Sequence, residues 1–117
     1  MINEYGARLD KNGYAASIIH GHRETKCFLC GRNGNGDRLD RHEIFGGAYR
    51  TKSKNLGLWV YLCHCRCHIT GRGAVHRNYT KAEHLRRMGQ IKAMEVYGWT
   101  EDEFRQEFGR SYLSDTD

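Results

Sequence analysis

The chain is 117 residues long, enough for one domain with a modest core and too short for a comfortable second. Lysine and arginine number 19 against 14 acidic residues, a formal charge of +5, and only 38% of residues are hydrophobic, so the core is thin and the charge admits a polyanionic partner without demanding one. No window approaches the roughly 18 apolar residues of a membrane span, and Glu4, Arg8, Asp10 and Lys11 interrupt any signal-peptide core, so neither membrane insertion nor secretion is expected.

Residues 1–26 form an amino-terminal segment of little legible structure, with Asn12-Gly13 as a turn signal and Ala15–Ile19 readable as a strand or a helical turn. From Cys27 to Gly47 the chain reads as a knuckle, a loop rich in glycine and asparagine, and a first strand. Leu56–Leu62 is the strongest apolar run, with aromatic and β-branched content, and is predicted as a buried second strand. Residues 27–79 thus form the predicted core, and residues 80–117 two helices packed on it within a single domain. The first helix is expected over Lys81–Tyr97, opened by a capping box Thr80-Lys81-Ala82-Glu83 and closed by Gly98. Thr100-Glu101-Asp102-Glu103 repeats the capping pattern before Phe104 and Phe108, with Gly109 as its stop and Tyr112 and Leu113 packing afterwards.

Five cysteines lie in two tight groups, unlike a spaced disulfide framework, and with seven histidines they favour metal binding in a reducing, cytoplasmic compartment. Cys27-x-x-Cys30 before Gly31 has zinc-knuckle form, since two thiolates on a tight turn can reach one tetrahedral ion. The partner pair must come from Cys63-His64-Cys65-Arg66-Cys67-His68; Cys63 and Cys67 are favoured, with His64 in place of Cys63 an alternative and Cys65 a bystander. A structural zinc there would contribute about 10 kcal/mol or more of folding free energy to a chain poor in apolar residues. If the two strands pair as a hairpin and a short helix begins near Cys67, His42 and His68 face one another across a ββα unit, and His76 can return to the same place. Three imidazoles at one divalent ion leave positions for water and phosphate. His20, His22 and His84 are read as surface residues.

Cys27-x-x-Cys30, Arg41-His42-Glu43-Ile44-Phe45-Gly46-Gly47, Gly57-Leu58-Trp59-Val60-Tyr61-Leu62-Cys63-His64, Cys67-His68 and Ala74-Val75-His76 together resemble the HNH endonucleases of the ββα-metal superfamily, in their compact phage and prophage form. The resemblance spans residues 27 to 76 and implies a small α+β domain, zinc-stabilised and built around a ββα-metal unit with two carboxy-terminal helices. It implies metal-dependent hydrolysis of DNA phosphodiesters, with His42, Glu43 and His68 as catalytic residues and His42, His68 and His76 as ligands of a catalytic ion. Mg²⁺, Mn²⁺, Ni²⁺ and Zn²⁺ are the candidates, imidazole content favouring the transition metals. Asn55-Leu56 resembles the middle asparagine-leucine of the motif. Arg50, Lys52, Lys54, Arg66, Arg72 and Arg77 are the basic groups expected to meet the DNA backbone, with the pair Arg86-Arg87 nearby in the helix.

The family carries a second histidine where this chain has Glu43, which leaves three readings: Glu43 is the base, or the register shifts and His42 is the base with Asp40 or another residue helping the metal, or the site is inactive. The expected partner is therefore DNA, with a phage protein partner as a further possibility and the host cytosol as the location for a phage-encoded chain. The alternatives to an enzyme are an inactive, zinc-stabilised nucleic-acid-binding module and a phage protein-interaction component.

Overall fold

The computed structural model describes residues 1–20 and 25–113. It is a small α+β fold built on a two-stranded antiparallel sheet. Strand β1, Leu39–Glu43, pairs with β2, Trp59–Cys63, in a register that sets Asp40 opposite Leu62 and His42 opposite Val60. Because side chains alternate along a strand, Asp40 and His42 share one face with Leu62 and Val60, while Arg41 and Glu43 share the other with Tyr61 and Trp59. The second strand begins three residues later and ends one residue later than the apolar run Leu56–Leu62 predicts. Leu56 and Leu58 are buried, but they flank Gly57, whose φ of +74° makes a turn before the strand begins.

The connection between the strands holds a short helix, α1, Arg50–Asn55, preceded by one 3₁₀ turn at Gly47–Tyr49. Sequence periodicity does not announce α1, because its only buried residue is Ser53. That hydroxyl donates to the Leu58 carbonyl at 2.6 Å and accepts the Phe45 N–H at 3.2 Å, tying both ends of the connection together. After β2 the chain winds into a six-residue π-helical segment, His64–Ile69, beginning three residues before the predicted helix start at Cys67.

Helix α2, Tyr79–Tyr97, begins two residues earlier than predicted. Its cap is Asn78, whose side chain accepts the Lys81 N–H, and not Thr80; Gly98 closes it in the left-handed conformation as expected. Helix α3, Glu101–Phe108, carries the predicted capping box between Thr100 and Glu103 and stops at left-handed Gly109. Phe104 and Phe108 are fully buried and pack against Phe45, with ring centroids 5.5 and 4.6 Å away. Buried Gln90 of α2 donates to the Ser111 hydroxyl and accepts the Tyr112 N–H, so the chain after α3 folds back over α2.

The amino-terminal segment is neither strand nor helix at Ala15–Ile19. It runs as a strap over the Arg41–Trp59 face of the hairpin: Ala15 N–H donates to the Lys54 carbonyl, Ile18 N–H to the Gly57 carbonyl and the Trp59 indole N–H to the Ala15 carbonyl, all at 2.8–3.0 Å. Ser17, 4% exposed, donates to the Trp59 carbonyl. Asn12-Gly13 makes the predicted turn, with Gly13 at φ +86°. His20 is not a surface residue: it is half-buried among Phe28, Trp59 and Tyr61, and its Nε2 accepts the Tyr61 N–H at 2.9 Å. His84 is exposed, and His22 lies outside the described residues. Among the described residues no helix is long and apolar enough to cross a membrane.

Candidate metal centres

At one end of the hairpin the knuckle Cys27–Cys30 closes as a turn, with Gly31 N–H donating to the Cys27 carbonyl at 2.8 Å and Gly31 at φ +79°. Phe28 N–H donates to the Tyr61 carbonyl, which fastens the knuckle to β2. Cys63 ends β2 and Cys67 follows one turn later on the inner side of the π-helical segment. The four sulfurs of Cys27, Cys30, Cys63 and Cys67 lie within 4.8 Å of one another, and all but Cys30 are buried. Four cysteines this close can hold a structural metal ion, and a set of sulfur donors alone suits zinc.

The electrostatics fit that chemistry. Burial and the adjoining sulfurs push the Cys63 thiol up to about 12 and raise Cys67 as well. Against its own desolvation, Cys30 is drawn down to about 6 by hydrogen bonds from Arg32 and the neighbouring thiols. A cluster of this kind sheds its protons together only around a cation. Cys65 is exposed and lies outside the four; His64 turns away from the sulfurs toward Asp40.

The second cluster lies on the α2-facing side of the sheet. His42 comes from β1, His68 from the π-helical segment and His76 from the 3₁₀ turn Val75–Arg77, and one nitrogen of each lies within 4.8 Å of the others. The His68 and His76 Nε2 atoms are only 3.1 Å apart, a separation that asks for a shared proton or cation. Burial, and then the charges that His68 and His76 can carry, pushes His42 down to about 3, so its ring is neutral near neutral pH. Desolvation lowers His76 as well. A neutral imidazole is the form that ligates a metal.

These rings border a cleft of about 380 Å³ that Glu43, Arg41, Arg50 and Arg86 also line. Glu43 is held from two sides. Its Oε1 accepts the Arg50 Nε–H at 3.0 Å, and its Oε2 accepts the Tyr14 hydroxyl, whose own proton is held up to about 12 by burial and by that carboxylate. Arg41, on the same face as Glu43, is anchored to Asp10 at 2.7 Å and lies over the Tyr14 ring.

Of the basic residues singled out in the sequence, Arg50 and Lys54 reach the clefts beside His68. Arg66 and Arg72 are exposed on the segment after β2, and Arg77 donates to the Thr70 carbonyl. Lys52 points elsewhere: it pairs with Glu107 at 3.0 Å and joins α1 to α3. Asn55 ends α1, and its carbonyl accepts the Asn3 side-chain N–H. Tyr14, Asp10 and Asp37 are site-shaping residues with no motif to mark them; Asp37 accepts the Cys65 and Arg66 N–H groups at 2.8 and 2.9 Å and so caps the segment that carries Cys67 and His68. Compared with protein-family models, with curated proteins and with solved structures, the chain matches none of them.

Proposed function

We propose that this chain is a metal-dependent DNA endonuclease of HNH type, stabilised by zinc on its four cysteines. The observation that carries the reading is the convergence of His42, His68 and His76, from three separate elements, on a cleft that also holds a carboxylate and arginines. The strand, strand and helical-turn order around that cleft fits a ββα-metal unit. Phage origin and a place in the host cytosol follow from the sequence resemblance alone.

In this reading His42, His68 and His76 hold a divalent ion, which when bound supplies Lewis-acid stabilisation of the phosphate and of the leaving 3′ oxygen. Glu43 accepts a proton from the attacking water: each carboxylate oxygen has a lone pair beyond those taken by Arg50 and Tyr14. Tyr14 and Arg50 hold that carboxylate in place, and Arg50 and Arg86 meet the anionic phosphate. Lys54, Arg66, Arg72 and Arg77 extend the positive charge along the backbone.

A second reading, a zinc-stabilised nucleic-acid-binding module without turnover, draws on the same contacts, since Glu43 already has two partners. Nicking of supercoiled plasmid across Mg²⁺, Mn²⁺, Ni²⁺ and Zn²⁺ separates them. The expected outcome is metal-dependent nicking that falls by about 10²-fold or more in His42→Ala and in Glu43→Gln. Folded, zinc-replete protein that nicks under none of these metals, yet binds DNA with strong salt dependence, establishes the binding module instead.

A further inference from the structure

Asp40 lies on β1 two residues before His42 and on the same face, with its side chain 19% exposed. Its Oδ2 sits 2.8 Å from His68 Nδ1 and 2.6 Å from His64 Nδ1. Asp40, His64 and His68 therefore form another close group of metal-ligating type, and it shares His68 with the triad at the cleft. A neutral imidazole has one lone pair, on Nδ1 or on Nε2. His68 can thus serve an ion at the cleft through Nε2 or an ion beside Asp40 through Nδ1, not both.

Arg38 decides between them. Its Nε is 3.2 Å from Asp40 Oδ1, and its Nη2 lies 3.0 Å from His64 Nδ1 and 3.3 Å from His64 Nε2. A guanidinium so placed opposes a second cation; the acceptor-only carboxylate 2.6 Å from His64 Nδ1 keeps the His64 proton on that nitrogen, and the Nε2 lone pair is left to the Arg38 N–H. What remains for Asp40 is to accept an N–H from each ring.

We infer that Asp40 is the positioning residue of the histidine centre: its carboxylate holds the proton of His68 on Nδ1 and thereby turns the Nε2 lone pair toward His42 and His76. The inference rests on the reading of that triad as a metal site. A carboxylate behind a ligating histidine fixes the ring, selects its tautomer and makes it a better donor. His64, on the same carboxylate, belongs to the scaffold and not to the ligand set.

The test uses full-length protein with zinc on its cysteines, no metal at the histidines, and ¹⁵N-labelled histidine, held at mildly alkaline pH. His68 is expected to show a protonated Nδ1 and a bare Nε2. Affinity for Co²⁺ at the triad is expected to fall about 10- to 100-fold in Asp40→Ala, with part of it restored in Asp40→Asn, whose amide oxygen still accepts an N–H, and none of it lost in His64→Ala. If Asp40→Ala does not fold, Asp40→Asn and the wild-type nitrogen shifts carry the test. A wild-type His68 protonated on Nε2 overturns the inference, as does an Asp40→Ala protein that binds Co²⁺ as tightly as wild type. A His64→Ala loss equal to that of Asp40→Ala also overturns it and puts the ion beside Asp40. Wild-type protein that takes up no Co²⁺ beyond its cysteines removes the triad reading, and the nitrogen shifts then judge Asp40 by themselves.

Discussion

His42 is the residue on which the histidine centre turns. Its neighbours across β2 are apolar, and its ring approaches two other imidazoles with centroids 5.2 and 5.5 Å away, so a proton on it is disfavoured first by burial and then by charge repulsion. This has a measurable consequence in protein whose histidine centre is free of metal. The unfolded chain binds the His42 proton below about 6.5, while the folded chain resists it until about 3. Stability is thus complete above the unfolded value and is lost as pH falls from there toward the folded value, by up to about 1.4 kcal/mol per pH unit for one full proton. Desolvated His76 adds to the loss in the same direction. Urea midpoints taken from about pH 7.5 down to about 5.5, above the acid range in which thiolate-bound zinc is released, should fall for the wild type and fall less for His42→Leu. Parallel lines for the two proteins would show that His42 is not held neutral by the fold.

The hairpin owes its outer covering to the amino-terminal strap, which at the entry to β2 passes close against Gly57. Its φ of +74° is one that side chains rarely adopt, and a Cβ there would overlap the Ala16 carbonyl oxygen. Gly57→Ala should therefore cost roughly 1–3 kcal/mol and lift the strap from Trp59, read as a lower denaturant midpoint with greater indole exposure. An unchanged midpoint would mean that the strap does not hold the hairpin. The strap is also where local sequence signals give out. Trp59–Leu62, the Thr100 capping box, the four-cysteine cluster and the grouping of His42, His68 and His76 were legible, because periodicity, caps and ligand spacing are local or chemically distinctive signals. Helix α1 was not, because Arg50–Asn55 buries only a serine and has no apolar stripe to detect. At the start of α2 both Asn78 and Thr80 are competent caps; the 3₁₀ turn through Val75–Arg77, which passes directly into Asn78, selects the asparagine. His20, Tyr14 and Asp10 were illegible for another reason: Tyr61, Glu43 and Arg41, which they contact, lie some 30 to 40 residues away in sequence, and no local pattern encodes them.

For the molecule as a whole, the two clusters are joined through one short segment. His64–Ile69 carries Cys67 toward the sulfurs and His68 toward the histidines, and it is fixed at its start by Cys63 on β2. A metal ion on the cysteines would therefore shape the other centre without touching it, by tying the knuckle to β2, closing the turn at Cys67 and setting the direction of His68. Apolar burial in this chain is modest, with sizeable side chains such as Ile2, Tyr79 and Ile91 left exposed. A structural ion worth about 10 kcal/mol or more in small zinc domains outweighs the margin by which a domain of this size is usually stable. Stripping zinc with a strong chelator at neutral pH should abolish cooperative melting and, with it, Co²⁺ binding at the histidines; Cys30→Ser should weaken both in parallel. The reverse dependence is not expected, because His42→Ala and His76→Ala remove ligands from a cleft without disturbing the segment that Cys67 anchors. These variants should keep their zinc and their melting transition while losing the histidine-bound ion. Two observations would break this coupling: native circular dichroism and a cooperative melt after complete zinc removal, or His42→Ala protein that loses its cysteine-bound zinc along with the histidine-bound ion.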